Sequence, residues 1–138
     1  MKLKKTEKDF ISLQRVIRVT TVDKSGVPHN VPVCHVMEGN NIYFATGKKS
    51  KKIKNLEENS KVALVCDEYT EIWPYLRGIL IQGEARIISK LPEFRKLRRL
   101  LYQKYPQYER EAPIEEGNTV IIEVIPQHIV SWGLEAKS

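Results

Sequence analysis

Hydrophobic and polar residues alternate along most of the chain with the two-residue period that is typical of half-buried β-strands. Turn residues interrupt this alternation, and the run from Asp23 to Gly26 is the clearest example. Pro28 and Pro32 cannot donate to a β-ladder, so they predict either an edge position for the second strand or a bulge near Pro32. The predicted strands cover residues 16–22, 27–37, 42–46, 61–66, 77–88, 118–125 and 128–132.

Three segments follow a helical pattern instead. Residues 6–13 form a short opening helix, Ser50 caps a second helix that runs through Leu56, and residues 91–105 form a third. The third helix has one apolar stripe and keeps its basic residues off that stripe, which favours packing on the sheet over binding a membrane or nucleic acid. The stripe consists of Phe94, Leu97, Leu101 and Tyr105.

The order of these elements predicts a mainly β fold. The strand at 77–88 is apolar on both faces, so we expect it to be central in the sheet, where Gly78 and Gly83 let it bend. A polar connection at 107–117 leads to the last two strands, which Pro126 and Gln127 separate. The sequence therefore predicts a six- to seven-stranded antiparallel barrel, closed or split, with two to three short helices.

Composition and charge narrow the range of functions. The chain has 138 residues and is predicted to form one domain that spans residues 1–138. Its net charge is +6, and fourteen of its 23 basic residues fall in three short stretches. Such clustering favours anionic partners, for example a phosphorylated cofactor or nucleic acid. No apolar run is long enough to cross a membrane, so we expect a soluble protein without a membrane partner.

The two cysteines, Cys34 and Cys66, lie far apart in the sequence. They form no CxxC motif, and no histidine or further cysteine stands at the spacing of metal ligands. This pattern argues against a disulfide framework and against a structural zinc site. It favours a reducing compartment, and we expect a cytoplasmic protein that binds no metal.

Residues 43–59 are the strongest candidate for a binding site, because they predict a strand, a turn at Thr46 and Gly47, and a helix capped by Ser50. Lysines crowd the start of this helix, where the macrodipole is positive, and two glutamates lie toward its negative end. Each misplaced charge costs about 0.3–1 kcal/mol, whereas a phosphate on the helix amides would turn that cost into attraction. The residues leave a solvated lysine run open as the alternative. The lysines are Lys48, Lys49, Lys51, Lys52 and Lys54.

Four blocks of sequence carry a resemblance to a known family. They read RVTTVDKSGVPHNVPV, NNIYFATGKKSKKIKNLEENSKVALV, RGILIQGEARII and IIEVIPQHIVSWG. In this order they are similar to the pyridoxamine 5'-phosphate oxidase-like family of FMN-binding split barrels, over the range from Arg15 to Gly133. The second block is the most specific, because a strand, Thr-Gly, Ser-Lys-Lys and a helix follow one another in the same order in members of the family. The resemblance implies an FMN-binding split barrel and a homodimer with two flavin sites at the subunit interface.

The resemblance also implies which residues hold the phosphate of the flavin. Ser50, Lys51 and Lys52 match the family's pattern of serine, basic residue and lysine, and they would bind the phosphate. Ala45 and Thr46 would lie close to it at the end of the preceding strand. Hydrogen bonds to a charged ligand contribute about 1.5–3 kcal/mol each. This assignment agrees with the inverted helix charges.

Residues near the flavin ring follow from the same resemblance. Val31, Pro32 and Val33 would lie along the isoalloxazine ring and the ribityl chain through backbone contacts. Gln82 would reach the polar edge of the ring, with a solvent-facing strand residue as the alternative. Trp132 would cover the ring from the partner subunit, with ordinary core packing as the alternative.

Departures from the family pattern limit the predicted activity. True pyridoxamine 5'-phosphate oxidases have a longer C-terminal segment with an Arg-x-His-x-Arg pattern, which this sequence lacks after Gly133. Vitamin B6 oxidation is therefore not expected. The chain resembles a shorter branch whose members resemble reductases that use FMN or the deazaflavin F420. We expect hydride transfer to or from a small molecule with FMN as cofactor and F420 as the alternative, and we assign no catalytic acid or base.

Other functions remain open at this point. A flavin carrier or sensor would bind the cofactor without turnover, and His35 in the second strand leaves haem binding as an alternative, although an ordinary polar strand histidine is favoured. A nucleic-acid-binding barrel would use the lysines as a phosphate track, but few aromatic residues lie among them to stack on bases. We also expect the exposed-looking segment Trp73-Pro74-Tyr75 to form a dimer contact rather than a substrate wall.

Overall fold

A computed structural model of the protein describes residues 2–135 and contains one curled, antiparallel sheet of seven strands. This architecture confirms the predicted mainly β split barrel. The helices are α1 (Lys5–Leu13), α2 (Lys51–Glu58), α3 (Glu93–Lys104) and the single turn α4 (Tyr108–Glu111). The strands are β1 (Ile17–Val22), β2 (Pro28–Val33), β3 (Val36–Glu38), β4 (Asn41–Gly47), β5 (Lys61–Glu68), β6 (Arg77–Ile88) and β7 (Thr119–Trp132).

The strands are arranged in the order β2-β1-β5-β6-β7-β4-β3. β6 is the fourth of the seven, which confirms its predicted central position. β2 pairs only with β1 and is an edge strand, as its two prolines predicted. Because β2 has a neighbouring strand on one side, the missing N–H groups of Pro28 and Pro32 can face its unpaired edge.

The concave, inner face of the sheet holds the main hydrophobic core. α1 closes this core with Phe10 and Ile11, and α2 packs Ile53 and Leu56 onto it between β1 and β4. Burying side chains of this size contributes about 1.5–3 kcal/mol each relative to exposure. The fully buried strand residues of this core include Ile17, Ile42, Phe44, Ile79, Ile81, Ile122 and Val124.

α3 covers part of the convex, outer face. Its stripe of Phe94, Leu97, Leu101 and Tyr105 is buried with residues of β4 and β7, which confirms the predicted amphipathic helix. The helix packs on β3 and the first half of β7. The outer side chains of β2, β1, β5, β6 and the second half of β7 lie beyond α3, and we call this surface the open outer face.

Residues 27–37 contribute to two strands, whereas the sequence predicted one continuous strand over this range. The break lies at Cys34 and His35, between β2 and β3. The His35 amide donates to the Tyr105 hydroxyl at 3.1 Å, and that hydroxyl lies 3.1 Å from the His35 carbonyl oxygen. These contacts with the end of α3 replace ladder bonds at this point, so the chain turns here instead of continuing one strand.

His35 itself is a core residue, so its assignment as an ordinary polar strand histidine was wrong. Its side chain is fully buried, and Nε2 lies 2.8 Å from the carbonyl oxygen of Ile11 in α1. Burial lowers the pKa of His35 to about 4, and the nearby Lys104 ammonium adds to the effect. The ring therefore links α1 to the β2–β3 connection in its neutral form and is enclosed by the core.

Residues 119–132 form the single strand β7, whereas the sequence predicted two strands, at 118–125 and 128–132, with Pro126 and Gln127 between them. Gly83 of β6 pairs with Pro126 and the adjacent Gln82 pairs with His128, so Gln127 is an extra residue in a β-bulge. Pro126 is tolerated because β4 pairs with β7 only as far as Val124, which leaves one edge of β7 free there. A Cβ atom on Gly83 would collide with the carbonyl oxygen of Ile125, so glycine permits the close approach.

The helices between residues 2 and 135 are short. The connection at 107–117, predicted to be polar and irregular, contains α4 and buries Ile114, whose amide donates to the Tyr102 hydroxyl at 2.9 Å. None of the helices in this part of the chain has the length and apolar character to span a membrane.

Burial of His35 predicts a pH dependence of folding. Its folded-state pKa of about 4 lies below the usual 6.5, so the unfolded chain binds more protons between these values. The contribution of His35 is complete above pH 6.5 and is lost as pH falls toward 4, by about 3 kcal/mol in total. Urea unfolding across this range should show the loss.

The His35→Gln variant is the matched control, because an amide can still donate to the Ile11 carbonyl but does not titrate. The carboxylates are common to both proteins, so the difference between the two stability profiles isolates His35. Parallel profiles for the two proteins would contradict a buried neutral imidazole.

Candidate functional site

The start of α2 is built by a tight turn that follows β4. The Ser50 amide donates to the Gly47 carbonyl oxygen at 3.0 Å, and the Lys48 amide donates to the Asn118 carbonyl oxygen at 3.0 Å. Thr46, which is buried, donates from Oγ1 to Ser50 Oγ at 3.0 Å. These bonds fix Ser50 at the N-cap of the helix and join the turn to the beginning of β7.

Backbone donors and positive charge converge at this helix end. The first intrahelical bond runs from the Lys54 amide to the Ser50 carbonyl oxygen at 3.2 Å, so the amides of residues 51–53 have no acceptor within the helix. The first turn contains no acidic residue and the last turn contains no basic one. This confirms the predicted inversion of charge against the helix dipole, which is the arrangement that suits a bound anion.

Lys51 and Lys52 differ in their surroundings. The Lys51 ammonium lies 4.0 Å from the Asp23 carboxylate at the end of β1, in a solvent-exposed pair that contributes little to stability. Hydrogen bonds from the Val27 amide and others in the β1–β2 turn lower the pKa of Asp23, so the carboxylate is charged. Lys52 is half-buried, and burial lowers its pKa. An anion beside Lys52 would therefore relieve an unfavourably buried charge.

The structure separates the side chains of the other predicted phosphate neighbours. Ala45 and Thr46 are adjacent in β4 and point to opposite faces of the sheet. Thr46 contacts Ser50, whereas Ala45 packs in the cluster beneath α3. The side chains of Thr46 and Ser50 thus lie together at the helix end that also carries Lys51 and Lys52. The side chain of Ala45 lies outside that group.

β2 presents its side chains in alternation. Val31 and Val33 pack against the inner core, and Pro32 is exposed on the outer face. A ligand along this edge strand would therefore contact the backbone and Pro32 rather than the valine side chains, which agrees with the backbone contacts that the family resemblance implies.

Gln82 and Trp132 lie on the open outer face. Gln82 is exposed in the centre of β6. Trp132 is 41% exposed and lies across Gly78, where a Cβ atom would touch its ring, so it does not belong to the inner core. Pro32 and Val130 line the same face on β2 and β7, and both are exposed.

These outer-face residues lie far from β2 within one subunit. Along the order β2-β1-β5-β6-β7, Gln82 is three strands and Trp132 is four strands from β2. Strand spacing places them about 14 Å and about 19 Å away along the sheet. Gln82 and Trp132 thus lie apart from the predicted residues of β2 and of the start of α2, and the side chain of Ala45 belongs to neither set.

A pocket that the sequence did not indicate lies beside Gln82. It has a volume of about 350 Å³ and is lined by residues of β1, β5, β6 and β7, among them Thr20, Ala63 and His128. Gln127 also lines it, because the bulge adds this residue to the strand. The Pro126-Gln127 pair, interpreted from sequence as a turn, was the only local sign of this irregularity.

A larger cleft, about 830 Å³, lies elsewhere, between α3 and residues 113–116. Arg95 and Arg98 line it, but both guanidinium groups already contact the Glu116 carboxylate, at 2.7 Å and 3.4 Å. Two of its basic groups are therefore paired within the protein, whereas Lys52 at the start of α2 makes no ion pair within residues 2–135. For this reason we assign the candidate anion site to the start of α2 and not to the larger cleft beside α3.

Comparisons with known proteins identify the family of this chain. Residues 3–133 match the family model described as pyridoxamine 5'-phosphate oxidase. The 5a,11a-dehydrotetracycline/5a,11a-dehydrooxytetracycline reductase of Streptomyces rimosus is 30% identical over 131 residues, which cover 91% of this chain and 80% of that protein.

Solved structures share the fold at lower identity. A conserved hypothetical protein from Mycobacterium tuberculosis matches with a TM-score of 0.83 and 19% identity, over 96% of this chain and 86% of that one. A structure described as an F420 reductase matches with a TM-score of 0.73 and 21% identity, over 93% of this chain and 98% of that one.

Inorganic phosphate is expected to stabilise the folded protein through the α2 site. At ten times its Kd it should add about 1.4 kcal/mol to the free energy of unfolding, because it binds only the folded state. Thermal unfolding in phosphate and in chloride of equal ionic strength measures this difference. The Lys52→Ala variant should lose most of it, since Lys52 is the half-buried cation.

Lys90→Ala is the control, because it removes one exposed positive charge outside α2. An equal phosphate effect in both variants would show that phosphate acts on the net charge and not on the α2 site.

Proposed function

The chain belongs to the pyridoxamine 5'-phosphate oxidase family, and we propose that it is a dimeric oxidoreductase that binds FMN and transfers hydride to or from a small molecule. The uncompensated positive charge at the start of α2 carries this proposal. Ser50, Lys51 and Lys52 stand there with the free helix amides, and these are the donors that a flavin phosphate requires.

The residues present fit a ribityl phosphate. The Thr46–Ser50 hydrogen bond orients the N-cap hydroxyl, Lys52 supplies a partly desolvated cation, and Lys51 supplies a second, exposed one. The ribityl chain and ring would then follow the backbone of β2 past Pro32. When bound, the cofactor supplies the hydride chemistry, and the protein supplies binding and orientation.

A second copy of the chain would complete the site. Gln82 and Trp132 lie about 14–19 Å from β2 along the sheet, which is too far for one ring to contact both groups within a single subunit. The open outer face also carries an apolar row of Val65, Leu80 and Val130 in cross-strand register, with Val130 58% exposed. An exposed apolar surface of this kind is typical of a subunit interface.

The β5–β6 connection supports the same interface. Trp73 is 68% exposed, and its indole N–H donates to the Tyr69 hydroxyl at 3.3 Å. This segment leads into β6 next to Gly78, at the end of the sheet where Trp132 lies. Aromatic residues are enriched in interface cores, so we propose that this segment contacts the partner subunit.

An F420-dependent reductase is the second candidate. F420 also carries its ring on a phosphorylated ribityl chain, so the α2 site suits both cofactors. The fold neighbour described as an F420 reductase and the homologous tetracycline-pathway reductase both favour reduction of a small organic molecule over oxidation. Direct competition between FMN and F420 on the same protein decides between them.

Haem and nucleic acid receive less support. His35, the histidine considered for haem ligation, is fully buried with Nε2 against the Ile11 carbonyl oxygen, so it offers no accessible ligand. A nucleic-acid track would need basic residues with aromatic platforms among them. The exposed aromatics Tyr69 and Trp73 lie instead in the β5–β6 connection, far in sequence from the lysines of α2.

Replacing both Lys51 and Lys52 by alanine should weaken FMN binding by about 100-fold or more. Each lysine would contribute a charge-assisted hydrogen bond to the phosphate, worth about 1.5–3 kcal/mol. Titration of the purified protein with FMN, followed by the visible absorption spectrum and flavin fluorescence, measures the affinity. Circular dichroism checks that the variant is folded.

The Lys8→Ala/Lys90→Ala double variant is the matched control, because it removes the same formal charge far from α2. Unchanged FMN affinity in the folded Lys51/Lys52 variant would rule out this phosphate site.

Turnover separates the proposed oxidoreductase from a flavin carrier. Reduction of the bound flavin by NADH or NADPH in stopped-flow mixing should bleach its visible absorption at a rate that saturates with donor concentration. Tight FMN binding without reduction by either donor would favour the carrier, and reduction seen only with F420 would favour the second candidate.

A further inference from the structure

The bulge in β7 redirects a histidine that neither the sequence patterns nor the family resemblance identified. Val124 faces the inner core, and strict alternation would also turn His128 toward that core. The extra residue Gln127 shifts the alternation by one position, so His128 is exposed and Ile129 packs inward instead. Bulges that re-aim a side chain are over-represented beside active sites.

The redirected histidine lines the pocket of about 350 Å³ on the open outer face. Cross-strand register places Thr20, Ala63, Gln82 and His128 in one row over four neighbouring strands. Ala63 has a small side chain and forms a shallow floor, with Gly83 beside it. A floor without large side chains leaves room for a planar ring to lie on the sheet here.

The polar side chains of this pocket include amide and imidazole groups that carry N–H donors, on Gln82, Gln127 and His128. Within residues 2–135, the side chains of Gln127 and His128 make no hydrogen bond or ion pair. The one lysine of the pocket, Lys61, is paired with Glu84 at 2.6 Å, so its charge is engaged. Amide and imidazole donors without a free cation match a carbonyl oxygen better than a phosphate or carboxylate.

We propose that this pocket binds a planar, conjugated carbonyl compound as substrate, with its oxygen held by His128 and Gln127. The proposal rests on the proposed function, because the open outer face is also where a second copy would present its cofactor. Gln82 then stands between the two ligands, one strand from His128. His128 is thus a substrate-binding residue, and the bulge is the backbone device that supplies it.

Chromone, a flat bicyclic conjugated ketone, is a suitable probe, and chroman, which lacks the carbonyl group, is its control ligand. Calorimetric titration of the purified protein, with and without FMN, should show chromone binding and much weaker chroman binding. His128→Ala should weaken chromone binding about fivefold to tenfold, the usual effect of losing one neutral hydrogen bond. His128→Gln should restore most of it, and FMN affinity should stay unchanged in both variants.

Ala63→Leu provides a second test, because a larger side chain on the floor should exclude chromone while leaving the start of α2 intact. Gln103→Ala, on the surface of α3, is the control substitution and should change neither affinity. The proposal would be overturned if the unmodified protein showed no detectable chromone binding. It would also be overturned if the His128→Ala and Ala63→Leu variants both bound chromone as tightly as the unmodified protein does.

FMN affinity distinguishes the failure of this proposal from failure of the proposed function. If His128→Ala weakens FMN and leaves chromone unaffected, the pocket holds the edge of the cofactor and not a substrate. If the protein binds chromone but no FMN or F420, the pocket assignment stands and the cofactor assignment fails.

Discussion

The continuous pairing of β7 with β6 divides the outer face of the sheet into a part covered by α3 and the open outer face. β7 is bonded on both sides only up to Val124, where its pairing with β4 stops, and it continues beside β6 to Trp132. α3 packs on the doubly paired half, because that half offers a wide apolar surface. The second half extends the sheet beyond α3, and the open outer face exists because of this extension. Gly83 is essential here, since only a residue without Cβ lets the two strands remain paired across the bulge.

The start of α2 differs from most of α3 in how its basic groups are paired. In α3, Arg95 and Arg98 contact Glu116 and Lys96 contacts Glu38 at 3.2 Å, whereas Lys104 Nζ is buried without a hydrogen-bond partner. Among residues 2–135, the lysines of α2 have one ion-pair contact, between Lys51 and Asp23. Natural sequences are locally consistent except where function requires otherwise, so this uncompensated charge is a stronger indication of a site than the number of lysines alone.

Much of this architecture follows from local sequence patterns, and the remainder depends on long-range pairing. The strand at 77–88, the stripe of α3 and the helix after Ser50 all occur as predicted, because their hydrophobic periodicity is a local property, whereas the Ser50 side chain makes no capping hydrogen bond to the helix. The bulge at Gln127 was missed because Pro-Gln resembles a turn, and only the register with β6 shows that the strand continues. The separation of Gln82 from β2 likewise depends on strand order, which no local pattern encodes.

The separation of Gln82 and Trp132 from β2 favours a twofold dimer in which two copies complete each site. A twofold interface is self-complementary, so the same open outer face would be buried on both copies, and each β2 edge would approach the Gln82 and Trp132 region of the other. Cofactor binding and dimer formation would then stabilise each other, because both use that face and neither is complete without the second copy. The polar row through Gln82 and His128 lies beside the apolar row through Leu80 and Val130. This arrangement lets the apolar row hold the subunits together while the polar row remains available to a ligand enclosed between them.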